Sequence, residues 1–515
     1  MILPSAKNEI ASLPVNRIIF DRVGHQTGPR RRSGNQATSV RTKRSPNQGS
    51  AQPGCTKKAA LVINQESRQN SPRKSLDWKS KQEESLTSHY QGLSARDEPP
   101  FDGRVTGLFP NVRDTVETMM HTELTRALNL SAESMQNGIP NPRLDWVDNL
   151  RTAMIFLVVN MHACVTYSHV GDWFITLAPE PSLKEKIPFI LWQAHLQSFF
   201  MGLLFFIAGY FAEKSIVRKG VRVFIRERGM RLGLPTLFFM LVIWPLTVWE
   251  ILGHPRVENI PQLLGLYQKH ILSESFLSAN GPLWFAFALL IFSLVFARFR
   301  GSPAGVDKPR PAPKARHFLL LCVGLVTATF VARLIFPVGT DFMNFQLCFF
   351  AQYIAGFGAG VLAARHGWLS SLADSPLAKW AGIAGLVGGP ILLSTLIYFG
   401  GPPGPKIMPY AGGWHWQAFG LAFWEQTTGP ALGLGLLYLF SRLAAFRNHT
   451  THWLATHAFA VYVLHTPILV ALALGLQPWH LTPWAGTLWL TGSGLIVSYA
   501  MAAVALKVPG LREIL

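Results

Sequence analysis

Hydrophobic and polar positions divide the chain near residue 143. Before it, polar and basic residues interrupt every short apolar run, most densely in GPRRRSGNQATSVRTKRSPNQGS. Such a segment cannot offset its chain entropy by burial, so residues 1–142 are expected to form a disordered basic tail, with one short amphipathic helix over 111–135. MILPSAKNEIASLPV lacks the continuous apolar core of a secretory signal, so no cleavage is expected there. Met119, Met120 and Met135 precede the apolar region, which leaves the biological start open.

Beyond 143 the pattern changes. Apolar runs of roughly 20 residues, the length that crosses a bilayer, recur near 148–168, 190–212, 232–252, 281–298, 317–337, 345–364, 379–399, 416–440, 453–474 and 484–506. The expected fold is all-α, a polytopic transmembrane helix bundle of about ten spans filling residues 143–508. The connections set its orientation. EKSIVRKGVRVFIRERGMR holds seven Lys/Arg, and ARFRGSPAGVDKPRPAPKAR holds six. Positive charge collects on the cytoplasmic side, so both termini are expected in the cytoplasm, with the bundle in the inner or plasma membrane.

Composition agrees and removes one class of partner. The 515 residues are 49% hydrophobic and 15% charged, with a formal net charge of +19. In a soluble protein that charge would point to nucleic acid. Here it lies in the tail and in short connections between apolar runs, so no nucleic-acid partner is expected and the lipid bilayer is. Cys55, Cys164, Cys322 and Cys348 form no CxxC pair, which argues against both a disulfide framework and a zinc site. No metal is expected.

Ionisable residues inside membrane helices are functional candidates. In LDWVDNLRTAMIFLVVNMHACVTYSH, Arg151 and His162 lie 11 residues apart, so on a helix they fall about 20° apart around the axis and about 16 Å apart along it. Asp148, Ile155, Val158 and His169 share that stripe, and Asn160 lies beside it. An arginine at headgroup depth would thus align with an imidazole deep in the membrane; the competing reading is a snorkelling cation and a packing histidine. Arg228 and Arg231 in RERGMRLGLP would share one side of a helix and could bind an anion, or simply mark topology. Tyr462 and His465 share a face of HAFAVYVLHTPILV. Glu425 in AFWEQTTG would be protonated or paired, orienting a histidine or making a packing hydrogen bond. Trp284 in NGPLWFAFALL could stack on a sugar or anchor the helix at the interface.

Together these stretches resemble the acyltransferase-3 family of integral membrane acyltransferases. RLDWVDNLRTAMIFLVVNMHA is similar to its first helix, with Arg and His as hallmark. FFIAGYFAEKS resembles its FF.SGYF segment, RGMRLGLP its R..R...P entry, GPLWFAFALL its LWF segment and AFAVYVLHTPILV its closing YLLH.P segment. The LWF segment is closest to a glucan biosynthesis protein C-like branch; where other members carry W-S-L-x-x-E, this chain has Ala288 and Leu289. The resemblance implies transfer of an acyl group, acetyl or succinyl, from cytoplasmic acyl-CoA, with acetyl-CoA the expected donor substrate, to a hydroxyl of a carbohydrate or glycolipid acceptor of the cell envelope. No tightly bound cofactor is implied. His162 would be the base or proton shuttle. Arg151, Arg228 and Arg231 would hold the donor, with Tyr462 and His465 near the site. The competing function is a multi-span transporter or flippase of a glycan or lipid.

Overall fold

The structure, a computed structural model, describes residues 144–177, 179–254, 259–300, 310–403 and 407–515. The tail expected over 1–142 and its helix over 111–135 lie outside the described residues. Among the described residues, helices supply the regular structure apart from one bridge between Phe342 and Phe345. Nine of them are long and apolar enough to cross a membrane. They are α1 (Asp145–Ser168), α2 (Leu183–Lys219), α3 (Val221–Ile251), α5 (Gly281–Phe299), α6 (Ala315–Ile335), α7 (Leu347–His366), α9 (Pro376–Gly400), α11 (His449–Trp479) and α12 (Pro483–Ala505).

The tenth expected run is α10 (Trp416–Leu443), which has 28 residues but falls outside that set by composition. The cause is the sequence Glu425, Gln426, Thr427, Thr428. Glu425, Gln426 and Thr428 are buried, and α10 packs against α9, α2 and α6. Its polar side chains are therefore hidden by neighbouring helices instead of facing the surrounding medium. Three short helices complete the set: α4 (Ile260–Ile271), α8 (Trp368–Ala373) and α13 (Leu511–Ile514). The segment of α4 reads as a plain connection in the sequence, yet it folds as an exposed helix with no buried residue, fastened by His270, which contacts the carbonyl of Met240 at 2.9 Å.

Close approach of backbones holds the centre together, as small residues permit in membranes. Gly209 of α2 lies against the backbone carbonyl of Phe357 on α7, and Gly360 of α7 lies against the carbonyl of Phe206. A side chain at either position would meet backbone, which explains the glycine in FFIAGYF. Beyond this contact, Glu213 of α2 is buried and receives Arg300, from the residue after α5, at 2.8 Å and Arg365 of α7 at 3.3 Å.

Helix α3 is not a regular α-helix. Gly229–Gly233 and Phe239–Ile243 are π-helical turns. Pro235 and Pro245 follow them, each two residues after a π turn ends. Proline lacks a backbone donor and its ring crowds the carbonyl four residues earlier, so a wider turn relieves both problems without ending the helix.

Candidate active site

His162 sits one turn and a half before α1 ends, where its helix meets the segment leading to α2. That segment folds back onto the helix. His169 adopts φ 56° and Gly171 φ 105°, turning the chain. Four hydrogen bonds then hold it down, and a fifth braces α1 against α2 beneath it. The Leu177 amide donates to the Thr166 carbonyl at 2.9 Å, and His169 Nε2 donates to the Leu177 carbonyl at 2.8 Å. Gln193 Nε2 donates to the Val170 carbonyl at 2.9 Å. Ser168 Oγ donates to Gln193 Oε1 at 3.1 Å and accepts from the Val170 amide at 3.1 Å.

The strap delivers Trp173 onto His162, with ring centroids 3.7 Å apart and planes 18° apart. His465 of α11 lies near-parallel to both, 5.4 Å from His162 and 6.3 Å from Trp173. Tyr462 stacks 6.1 Å from His465, and its hydroxyl donates to the carbonyl of Pro282 at the start of α5. The sequence pairing of Tyr462 with His465 on one face is what the structure contains. His465 is fully buried, and its Nδ1 lies 2.7 Å from the Tyr462 carbonyl. A carbonyl only accepts, so Nδ1 carries the proton, and a neutral ring keeps its lone pair on Nε2. Buried ring nitrogens are costly to leave unpaired. Even so, His162 Nδ1, His465 Nε2 and Trp173 Nε1 are all buried without a hydrogen-bond partner among the described residues.

Below this stack opens a cavity of about 1990 Å³. Its inner wall is apolar, with Ile155, Val158, Leu204, Phe285 and Leu289, and it reaches Tyr462. Its mouth is cationic: ten Lys and Arg side chains stand against Asp148, Glu213 and Glu227. Asp148, Arg151, Ile155 and Val158 all line it, so the Arg151 end of the stripe inferred from helical spacing is a cavity wall, while His162 and His169, its other members, lie beyond the lining. Arg151 pairs with Asp148 at 3.3 Å, half-exposed. Arg228 and Arg231 line the cavity too, Arg228 over the Phe224 ring at 5.1 Å. Arg231 lies within the first π turn, not on a regular α-helix, and still shares the cavity with Arg228. Neither forms a salt bridge among the described residues.

The remaining candidates fall elsewhere. Asn160 turns away from His162. It donates to Thr491 Oγ1 at 3.2 Å and accepts from Trp192 Nε1 at 2.8 Å, tying α1 to α12 and α2. Cys164 is buried with its thiol directed to Asn160 Oδ1 at 3.7 Å, on that same side. Trp284 is half-buried and stacks on Tyr353 of α7 at 5.8 Å, inside the bundle and not as an interface anchor. Glu425 orients no histidine; it is the ion-pair partner of Arg333 of α6, itself fully buried. Arg333 and Trp173 were not among the residues expected from the sequence. Arg333 could have been found as a lone cation in an apolar run needing a carboxylate. Trp173 carries no comparable signal, because only the folded strap brings it to His162.

A family model described as an acyltransferase domain matches residues 144–503. This chain belongs to the acyltransferase-3 family. It is thus a multi-pass membrane acyltransferase. The acyltransferase is similar to proteins named Glucans biosynthesis protein C from Escherichia coli O6:K15:H31 (strain 536 / UPEC) and Escherichia coli O1:K1 / APEC. Each is 24% identical over 397 residues, covering 73% of this chain and 95% of the relative. No solved structure matches.

Proposed function

We propose that this acyltransferase moves an acetyl or succinyl group from cytoplasmic acyl-CoA to a hydroxyl of a carbohydrate or lipid-linked glycan, with His162 as base. One observation supports the reading: a cavity lined by cationic and apolar side chains includes Tyr462 in its wall, and the Tyr462 ring stacks on His465, which in turn faces His162. The mouth suits the phosphates of the donor, with Arg228 and Arg231 as forked cations and Arg151 beside them. The apolar wall suits the pantetheine arm, for which the roughly 16 Å helix rise from Arg151 to His162 is a suitable length. The Lys/Arg-rich end is then cytoplasmic, and the acceptor enters from the opposite end. The name carried by the relatives favours a glucan as acceptor.

A hydroxyl attacks a thioester poorly until a base takes its proton, and a neutral imidazole away from bulk water does this near pH 7. His162 receives that proton and returns it to the departing thiolate. His465, held by the Tyr462 carbonyl, lies near-parallel to the His162 ring.

The test is the His162→Ala variant in membranes given radiolabelled acetyl-CoA and envelope oligosaccharide. Label transfer should fall by about 10²–10⁴-fold, the usual worth of a positioned base, with the protein at its normal membrane level. Undiminished transfer would refute the assignment. Glycan export from liposomes without donor consumption would favour a transporter.

A further inference from the structure

We propose that Trp173 is a catalytic residue whose indole N–H stabilises the oxyanion formed when the acceptor hydroxyl attacks the acyl thioester. The proposal rests on the reading of His162 as the base. Trp173 lies against His162 from outside the helices, on a strap that three hydrogen bonds fasten to α1 and α2 and a fourth closes internally. Its half-buried ring lies 3.7 Å from His162, and the planes differ by 18°.

Face-on stacking leaves the edges of both rings uncovered by each other, and edges are where their chemistry lies. His162 offers lone-pair or N–H positions in its own plane. Trp173 offers one N–H in a near-parallel plane, buried and without a partner among the described residues. An indole N–H is a donor only, so burying it unsatisfied weakens the fold unless something it is meant to hold arrives. Tetrahedral intermediates present two oxygens side by side: the attacking oxygen, whose proton goes to a base, and the former carbonyl oxygen, which becomes negative. Two parallel planes, one with a base and one with a donor, match that pair.

The step balances. The acceptor oxygen bonds to the thioester carbon while its proton passes to the His162 ring, and the carbonyl π pair moves onto oxygen, where the Trp173 N–H holds it. Re-forming the carbonyl breaks the carbon–sulfur bond, and the thiolate leaves with the proton from the imidazolium. Ester and free thiol result. The donor must be in place before the negative charge exists, which agrees with a residue fastened by hydrogen bonds and not carried on a loose loop. Gly171 makes the fastening specific. Its φ of 105° suits glycine, and an added Cβ would press on Val165 at 3.3 Å.

Trp173→Phe keeps an aromatic ring over His162 and removes only the N–H. It is compared with Trp173→His, which returns a ring N–H, with His162→Ala and with the unaltered protein. All are assayed in membranes with radiolabelled acetyl-CoA and envelope oligosaccharide and normalised to membrane-inserted protein. Trp173→Phe is expected to lower kcat by about 10²–10³-fold, the effect of deleting one oxyanion donor, with the KM for acetyl-CoA unchanged. Trp173→His should recover part of kcat. A Trp173→Phe protein within twofold of the unaltered kcat, or one that loses activity only through KM, would overturn the role of the N–H while leaving the His162 reading intact. Full transfer by His162→Ala, or none by the unaltered protein from either labelled acetyl-CoA or labelled succinyl-CoA, would instead refute the proposed function, and this role with it.

Discussion

At the scale of single residues, the site separates charge from chemistry. Arg151, Arg228 and Arg231 meet the cavity, while His162, His465 and Trp173 form an aromatic stack beyond its apolar interior. Under the proposed function, cations at the mouth would hold the donor equally in the ground and transition states, which would raise affinity and leave the chemical step alone. Replacing Arg228 and Arg231 together by Ala should therefore raise the KM for acetyl-CoA by about 10–100-fold, tenfold for each 1.4 kcal/mol lost, with kcat nearly unchanged. Initial-rate measurements over a range of acetyl-CoA concentrations check this. A kcat loss at constant KM would place those arginines at the reacting atoms. The residue pairs readable in the sequence were those on one helix. Arg151 with Ile155 and Val158, and Tyr462 with His465, follow from helical angle alone. Trp173 beside His162 and Arg333 beside Glu425 join separate elements, and no spacing along the chain encodes them.

At the scale of elements, ten apolar runs became ten helices because backbone groups in a bilayer must bond within their own segment. Their ends move by up to about three turns from the apolar limits: α3 begins at Val221 against an expected 232, and α2 runs Leu183–Lys219 against an expected 190–212. Apolar runs stop where lipid stops; hydrogen-bonded turns continue until a cap or glycine ends them, here Ser182 and Gly220. The π turns of α3 were not legible, although the spacing of Pro235 and Pro245 after them supplies their cause. Packing between elements makes its own prediction. Gly209→Val should drive side-chain atoms into the Phe357 carbonyl and separate α2 from α7, whereas Gly358→Ala, on α7 with nothing within 4 Å, should be tolerated. Overpacking of this kind costs about 1–3 kcal/mol or more. Thermal unfolding of detergent-solubilised protein should show a lowered midpoint for the first variant only; equal midpoints would show that the close crossing is not needed.

At the scale of the whole molecule, Glu213 fastens three parts of the cavity wall through Arg300 and Arg365, so the chamber is a fixed container whose contents change. Ten Lys and Arg against three Asp and Glu leave an excess of seven positive charges on its lining. A container with that charge would attract small anions from the solution it opens to, and under the proposed function the donor would have to displace them. Loading is then an ion exchange. Its driving force includes the release of the displaced anions, as when a polyelectrolyte sheds counterions. The affinity for acetyl-CoA should fall as salt rises, with inorganic phosphate competing more strongly than chloride. Titration of the KM against each salt would give a slope counting the anions released, and a flat line would mean the charges are met within the protein. The enzyme would thereby sense the ionic composition of its compartment without any dedicated regulatory site.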